Sequence, residues 1–212
     1  MSEQLDLFAE PEKDKLDSEI VPKASNERRV LYFDLETQKS ADDVGGWGNI
    51  HEMKLAVGVV WDSCEQEYFS YLEGAASQLV KKLRTADLVV GFNVKKFDYG
   101  VLQPYADFDL DEITTFDMLI DVNKKLGHRL SLNHLAENTL NAEKSADGLV
   151  SLQWYKEGKI DKIIEYCKQD VEITRDLFLY GESHGYVKYS TRSGVAKDLK
   201  VEWKRASLIS PP

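Results

Sequence analysis

Cysteine is scarce in this 212-residue chain. Cys64 and Cys167 stand apart with no CxxC spacing, so neither a thiolate zinc site nor a disulfide framework is expected. No apolar run is long enough to predict a membrane-spanning helix. The N-terminal stretch MSEQLDLFAEPEKDK lacks a basic segment followed by an apolar one, so no secretory leader is read there and a cytoplasmic location is expected. Positive charge is in deficit: Lys and Arg number 27 against 37 Asp and Glu, a formal net charge of -10. That balance argues against a protein that coats nucleic acid through a basic surface. It leaves open an enzyme that meets phosphate through bound cations, because such a site must itself be acidic. No internal repeat is evident.

What is present is ordinary for a soluble globular protein: 42% hydrophobic and 30% charged residues. The length suits one α/β domain with a short appendage. Residues 1–28 are polar, charged and without periodicity, and read as a flexible tail carrying one apolar island, Gln4-Leu5-Asp6-Leu7-Phe8. A domain is expected over 29–185, followed by a hairpin-like extension over 186–212. Strands are read at Val30–Asp34 and its continuation, Leu55–Trp61, Glu67–Tyr71 and Asp87–Asn93, with Gly45–Asn49 as loop. Ile113–Leu119 reads either as a fifth strand or as the start of a helix. Helices are read over Ala76–Leu83, over Phe97–Tyr105 with Pro104 ending or kinking it, from a Ser131 cap to Leu140, and from Leu149 to Gly158. The longest begins at Ile160 and ends near Gly181 or Gly185. Tyr186–Tyr189 and Leu199–Trp203 alternate like a small hairpin. The fold class is α/β: a mixed sheet of three antiparallel and then parallel strands, flanked by helices.

The sharpest local feature is Tyr32-Phe33-Asp34-Leu35-Glu36-Thr37. Two carboxylates two positions apart on a strand share a face, with about 7 Å between their Cα atoms. Like charges beside an apolar strand are costly unless a cation lies between them, and oxygen ligands with little His or Cys nearby favour Mg²⁺ or Mn²⁺. Taken alone, a D-x-E is also what a solvated strand end looks like; Asp107-Phe108-Asp109 has the same spacing in a polar loop. A second acid, Asp98, follows Gly91-Phe92-Asn93 at the carboxyl end of a strand, where open α/β sheets place their sites. It reads equally as an early-helix acid favoured by the macrodipole. A third group pairs Tyr166 and Asp170 at i and i+4 on one helix face, beside an apolar stripe.

Asp34-Leu35-Glu36-Thr37, Asn93-x3-Phe97-Asp98 and Tyr166-x3-Asp170, in that order, resemble the three motifs of the DEDD superfamily of 3′–5′ exonucleases, tyrosine branch. The resemblance covers about residues 29–182 and is nearest to stand-alone relatives of the proofreading domain of family B DNA polymerases. It implies a ribonuclease H-like fold and two divalent cations, with Asp34 bridging both. It implies Glu36 and Asp170 on the first cation and Asp98 on the second through water, with Tyr166 and Glu36 orienting the attacking water. No covalent intermediate is implied, which suits a chain without a Ser/His/Asp or Cys/His arrangement. By the same resemblance Leu35 and Thr37 touch the terminal nucleotide and Asn93 supports the loop of Asp98. Asp117 is assigned a structural or supporting role. Lys144 reads as a solvated lysine that can reach phosphate, and Trp154 and Tyr155 as core. Trp47, in a Gly-rich acidic loop, can stack on a base or cover the core.

Gln4, Leu5, Leu7 and Phe8 resemble the short peptide by which bacterial DNA-processing proteins bind the sliding clamp. Two large apolar side chains on a tail can fill an apolar pocket while the linker raises effective concentration. The function these readings imply is a metal-dependent 3′–5′ exonuclease acting on single-stranded DNA. An exoribonuclease of the same fold and a catalytically silent nucleic-acid-binding module stand as alternatives.

Overall fold

The computed structural model describes residues 28–142 and 149–209; the clamp-like island and Lys144 lie outside them. Five strands form one sheet: β1 (Val30–Thr37), β2 (Leu55–Asp62), β3 (Glu67–Leu72), β4 (Leu88–Gly91) and β5 (Thr115–Asp117), in the order β3-β2-β1-β4-β5. β1 pairs antiparallel with β2, and β2 with β3; β4 runs parallel to β1, and β5 parallel to β4. This is the mixed sheet expected from the sequence. The ambiguous stretch at 113–119 is both things at once: β5 ends at Asp117 and helix α3 (Met118–Leu126) starts at the next residue.

Alternation along β1 sorts its side chains into two cores. Leu31, Phe33 and Leu35 face a cluster that includes Leu79 and Leu83 of helix α1 (Ala76–Arg84) and Val101 and Leu102 of helix α2 (Asp98–Leu102). Val30 and Tyr32 face the opposite cluster, built with α3, α4 (Leu132–Leu140) and the 25-residue α6 (Ile160–His184). Ser131 caps α4 by accepting the His134 N–H, as its sequence position suggests. α5 (Leu149–Lys156) precedes α6. α6 buries Ile163, Cys167, Val171, Thr174, Leu177 and Phe178, one stripe at helical spacing. It ends where Gly185 turns left-handed at φ 73°, a conformation that favours glycine.

Three boundaries differ from the sequence reading. Gly45–Asn49 is not featureless loop: short 3₁₀ turns occupy Asp42–Val44 and Trp47–Glu52. β4 stops at Gly91, and Asn93 sits beyond it in a left-handed turn at φ 69°. The C-terminal hairpin joins β6 (Tyr186–Ser190) to β7 (Ala196–Lys200), so its second strand ends before Trp203. The reason is packing: the Val201 N–H bonds to Gly185 O (2.9 Å), and Trp203 turns inward to stack on Phe178 (centroids 6.2 Å apart, planes within 3°). The Trp203 indole N–H donates to Asp121 (2.8 Å), satisfying its polar edge in the core. Gly181 permits the approach, since a Cβ there would collide with the Trp203 ring. The short helix α7 (Arg205–Leu208) follows. The hairpin meets the end of α4 through Thr139, whose hydroxyl donates to Lys188 O (3.1 Å) and accepts from Lys188 N (2.9 Å).

Candidate active site

The carboxyl end of β1 carries Asp34 and Glu36 on the face shared with Tyr32, toward α6. The β1–β2 register shifts between Glu36 and Thr37, which re-aims the strand where the two acids emerge. Tyr166 and Asp170 lie one turn apart on α6, and both line the same cleft of about 610 Å³ as Asp34 and Glu36. One carboxylate oxygen each from Asp34, Glu36 and Asp170 lies within 4.8 Å of the others. That donor set is all hard oxygen and matches a Mg²⁺- or Mn²⁺-sized cation.

Asp98 comes from the other side of the sheet and completes the cleft from α2. It is 2% exposed, and its Oδ1 has no hydrogen-bond partner among the described residues. A buried carboxylate oxygen without a donor is costly unless a ligand satisfies it. The turn that delivers Asp98 is tightly built. Gly91 has room for nothing larger, because a Cβ would sit 2.9 Å from that of Val94 and 3.1 Å from Phe33 O. Asp117 then pins the turn: its carboxylate accepts the N–H groups of Asn93 (2.9 Å) and Lys95 (3.1 Å). The same carboxylate caps α3 by accepting from Leu119 and Ile120. Asp117 thus holds the frame of the site and belongs to the supporting role read from sequence.

Crowding and burial govern the protonation of the acids. Burial raises Asp34 well above the ordinary carboxylate range, and the nearby Asp98, Asp170 and Glu36 add to this. Burial pushes Glu36 up to about 8; the Ser151 hydroxyl opposes that rise and Asp170 reinforces it. Burial also raises Asp98, against hydrogen bonds from backbone N–H groups. A cation would reverse this electrostatic cost.

The remaining sequence-derived residues fall in three places. Thr37 lines the cleft with its hydroxyl donating to Lys39 O (2.9 Å). Leu35 reaches the cleft's edge, but its side chain is buried in the α1/α2 cluster. Asn93 lies outside the cleft lining and accepts from the Arg129 guanidinium (3.0 Å). Trp154 packs edge-on against Tyr166 (6.1 Å) and, with Tyr155, is only partly buried.

Two contacts to the acids were not legible as such. Ser151 of α5, 1% exposed, donates to Glu36 Oε2 at 2.5 Å. The Cys167 thiol, read from sequence as core stripe alone, lies 3.3 Å from Asp34 O and 3.7 Å from Asp34 Oδ2. Burial raises that thiol well above its ordinary range, with Asp34 next in effect, so it stays protonated and can donate. The only signal for Ser151 was a small polar residue between the apolar Val150 and Leu152.

Comparison with known proteins agrees with this architecture. No curated protein matches the chain. Among solved structures, a family B DNA polymerase from the hyperthermophilic archaeon Pyrobaculum calidifontis is similar in fold, with a TM-score of 0.53 at 17% identity. The match covers 74% of this chain and 26% of the polymerase chain, so this protein corresponds to about a quarter of that enzyme. A family model for the RNase_H superfamily matches residues 31–181. That segment takes in nearly all of the five-stranded sheet, the acids Asp34, Glu36, Asp98 and Asp170, and most of α6, and the chain belongs to the RNase_H superfamily.

Proposed function

We propose that the protein is a divalent-cation-dependent 3′–5′ exonuclease of the tyrosine branch of the DEDD superfamily, hydrolysing terminal phosphodiesters of single-stranded DNA. The observation that carries this reading is the convergence of Asp34, Glu36, Asp98 and Asp170, with Tyr166, in one cleft. Asp34, Glu36 and Asp170 would hold one cation, and Asp34 with Asp98 a second. Bound cations of this kind lower the pKa of water and stabilise charge on the departing 3′ oxygen.

The chain's own residues do the positioning. Tyr166 sits one helical turn from Asp170 and lines the same cleft as Glu36, where the two would orient a water in line with the scissile bond. Ser151, which also lines the cleft, holds the Glu36 carboxylate through its hydroxyl. Asp117 fixes the turn that sets Asp98. Thr37, with the edge of Leu35, would touch the terminal nucleotide, and Asn93 shapes the turn rather than the cleft wall. Exposed apolar side chains, Trp47 (69%) and Leu149 (68%), flank the mouth, as suits a base entering an otherwise acidic cleft.

The test is hydrolysis of single strands labelled at the 5′ end, with Mg²⁺, Mn²⁺ or EDTA. Stepwise shortening from the 3′ end, dependent on the cation and abolished by Asp34→Ala or Asp170→Ala, is the expected outcome. Activity surviving either substitution overturns the mechanism, and faster turnover of matched RNA overturns the substrate. We assign the Gln4-Leu5-Asp6-Leu7-Phe8 segment to sliding-clamp binding and place the enzyme in the cytoplasm, at DNA. Unchanged clamp affinity after Leu7→Ala with Phe8→Ala would remove that assignment.

A further inference from the structure

Two grooves lead out of the acidic cleft. One is walled by Trp154, Asp161, Lys162, Glu165, Lys168 and Glu172 and adjoins the cleft at Tyr166. The other, of about 310 Å³, is bounded by Trp47, Ile50, Asn93, Lys96, Phe97 and Arg129, and shares Trp47 and Phe97 with the cleft. Either offers a path to a strand whose last phosphodiester lies among Asp34, Glu36, Asp98 and Asp170.

Charge decides between the two. The Tyr166 groove sets three acids against two lysines, so a phosphate there meets net repulsion. The Trp47 groove has two cations and no acid. Neither Lys96 nor Arg129 forms an ion pair with a described residue. In a chain with a net charge of -10, two unneutralised cations beside an acidic cleft are a notable local reversal. The aromatic content points the same way. Trp47 is 69% exposed and touches Phe97 edge-on (6.2 Å), leaving ring surface open to solvent at the junction of cleft and groove. It is carried on a 3₁₀ turn entered through Gly45 and Gly46, both at positive φ. Arg129 is oriented by its hydrogen bond to Asn93 Oδ1, on the turn that Asp117 pins.

Resting on the exonuclease reading above, we propose that the Trp47–Lys96–Arg129 groove binds the nucleotides upstream of the scissile bond. Trp47 stacks on a base, and Lys96 and Arg129 hold backbone phosphates. An exposed aromatic alternating with cations is the combination that binds single strands without regard to sequence. The groove therefore sets the strand's direction of approach: it passes the β4–α2 turn and not the outer face of α6.

The test is anisotropy of a fluorescent single-stranded DNA oligonucleotide in Ca²⁺, titrated with full-length protein over a range of salt. Lys96→Ala with Arg129→Ala should weaken binding and reduce the slope of log affinity against log salt by about 1.4, as loss of two phosphate contacts on a single strand requires. Trp47→Ala should weaken binding on the order of tenfold with the salt slope unchanged. Lys162→Ala with Lys168→Ala, in the competing groove, should change neither quantity. All five positions are partly or fully solvent-exposed, so near-unchanged melting temperatures are expected and confirm that each variant is folded. If Lys162 and Lys168 carry the salt slope instead, or if the Trp47 and Lys96/Arg129 variants bind like the parent, the groove assignment is overturned. A parent protein that shortens single strands while those variants bind normally sinks the groove alone; a parent that neither binds nor cleaves strands sinks the exonuclease reading with it.

Discussion

The two ends of the interface between β1 and α6 are made of opposite chemistry. At one end Tyr32 meets Phe178 edge-on (5.9 Å), Phe178 stacks on Trp203, and Phe116 closes the group. At the other end, two residues along the strand and two turns along the helix, Asp34 and Glu36 face Asp170. The aromatic end buries Tyr32, Phe178 and Trp203, and its one indole N–H is satisfied. The acidic end gathers like charges, and Asp98 Oδ1, in the same cleft, has no hydrogen-bond partner among the described residues. The pairing teaches how the acidic end is tolerated: one strand and one helix are each long enough to be anchored at the first end while holding unfavourable groups in place at the second.

Three experiments break or sharpen this contrast. The largest effect is expected from Asp34→Asn: turnover of single strands should fall about a thousandfold, the scale for losing a group that stabilises developing charge. The same variant should melt at a higher temperature than the parent in EDTA at neutral pH, because it removes a charge that burial disfavours. Lowered stability in EDTA would show that the acids are not the strained end. Trp203→Ala should act in reverse. It should cost about 3–5 kcal/mol in urea denaturation, the usual range for emptying a buried aromatic site, while cation affinity of the folded fraction stays at the parent value. A loss of cation affinity without loss of stability would mean that the two ends are not separable.

The third test is a pH trend. Glu36 titrates near 8 in the fold against an ordinary value of 4.5, and Asp34 and Asp98 are shifted in the same direction. The folded protein therefore keeps protons that the unfolded chain releases, and stability in EDTA should decline as pH rises from about 4.5 to about 8. Saturating Mg²⁺ should flatten that slope, since the cation then compensates the ionised acids. A slope of the opposite sign in EDTA would contradict the crowding described here.

The acids were legible in the sequence because their chemistry is local. Asp34 and Glu36 share a face by strand alternation, Tyr166 and Asp170 by helical spacing, and Asp98 follows a strand that ends in a turn. The sheet was legible for the same reason: β-strand composition and turn residues lie in short windows. What escaped was non-local. Ser151 touches Glu36 across 115 residues of chain, and Cys167 reaches Asp34 across 133; neither spacing leaves a periodic trace. The end of β7 was misplaced because alternation through Val201 and Trp203 looks the same whether the chain continues as a strand or folds inward onto α6. Asp117 was identified as supporting, but its double duty at a helix cap and a distant turn needed the parallel pairing of β4 with β5.

That double duty has a consequence for the order in which the protein is made. Asp98 leaves the ribosome before the residue that fixes its turn, and Asp170 follows some 50 residues after Asp117. A nascent chain ending anywhere before α6 lacks Tyr166 and Asp170 and leaves one face of β1 without its covering helix. The proposed cation-binding set is thus complete only once the longest helix has docked.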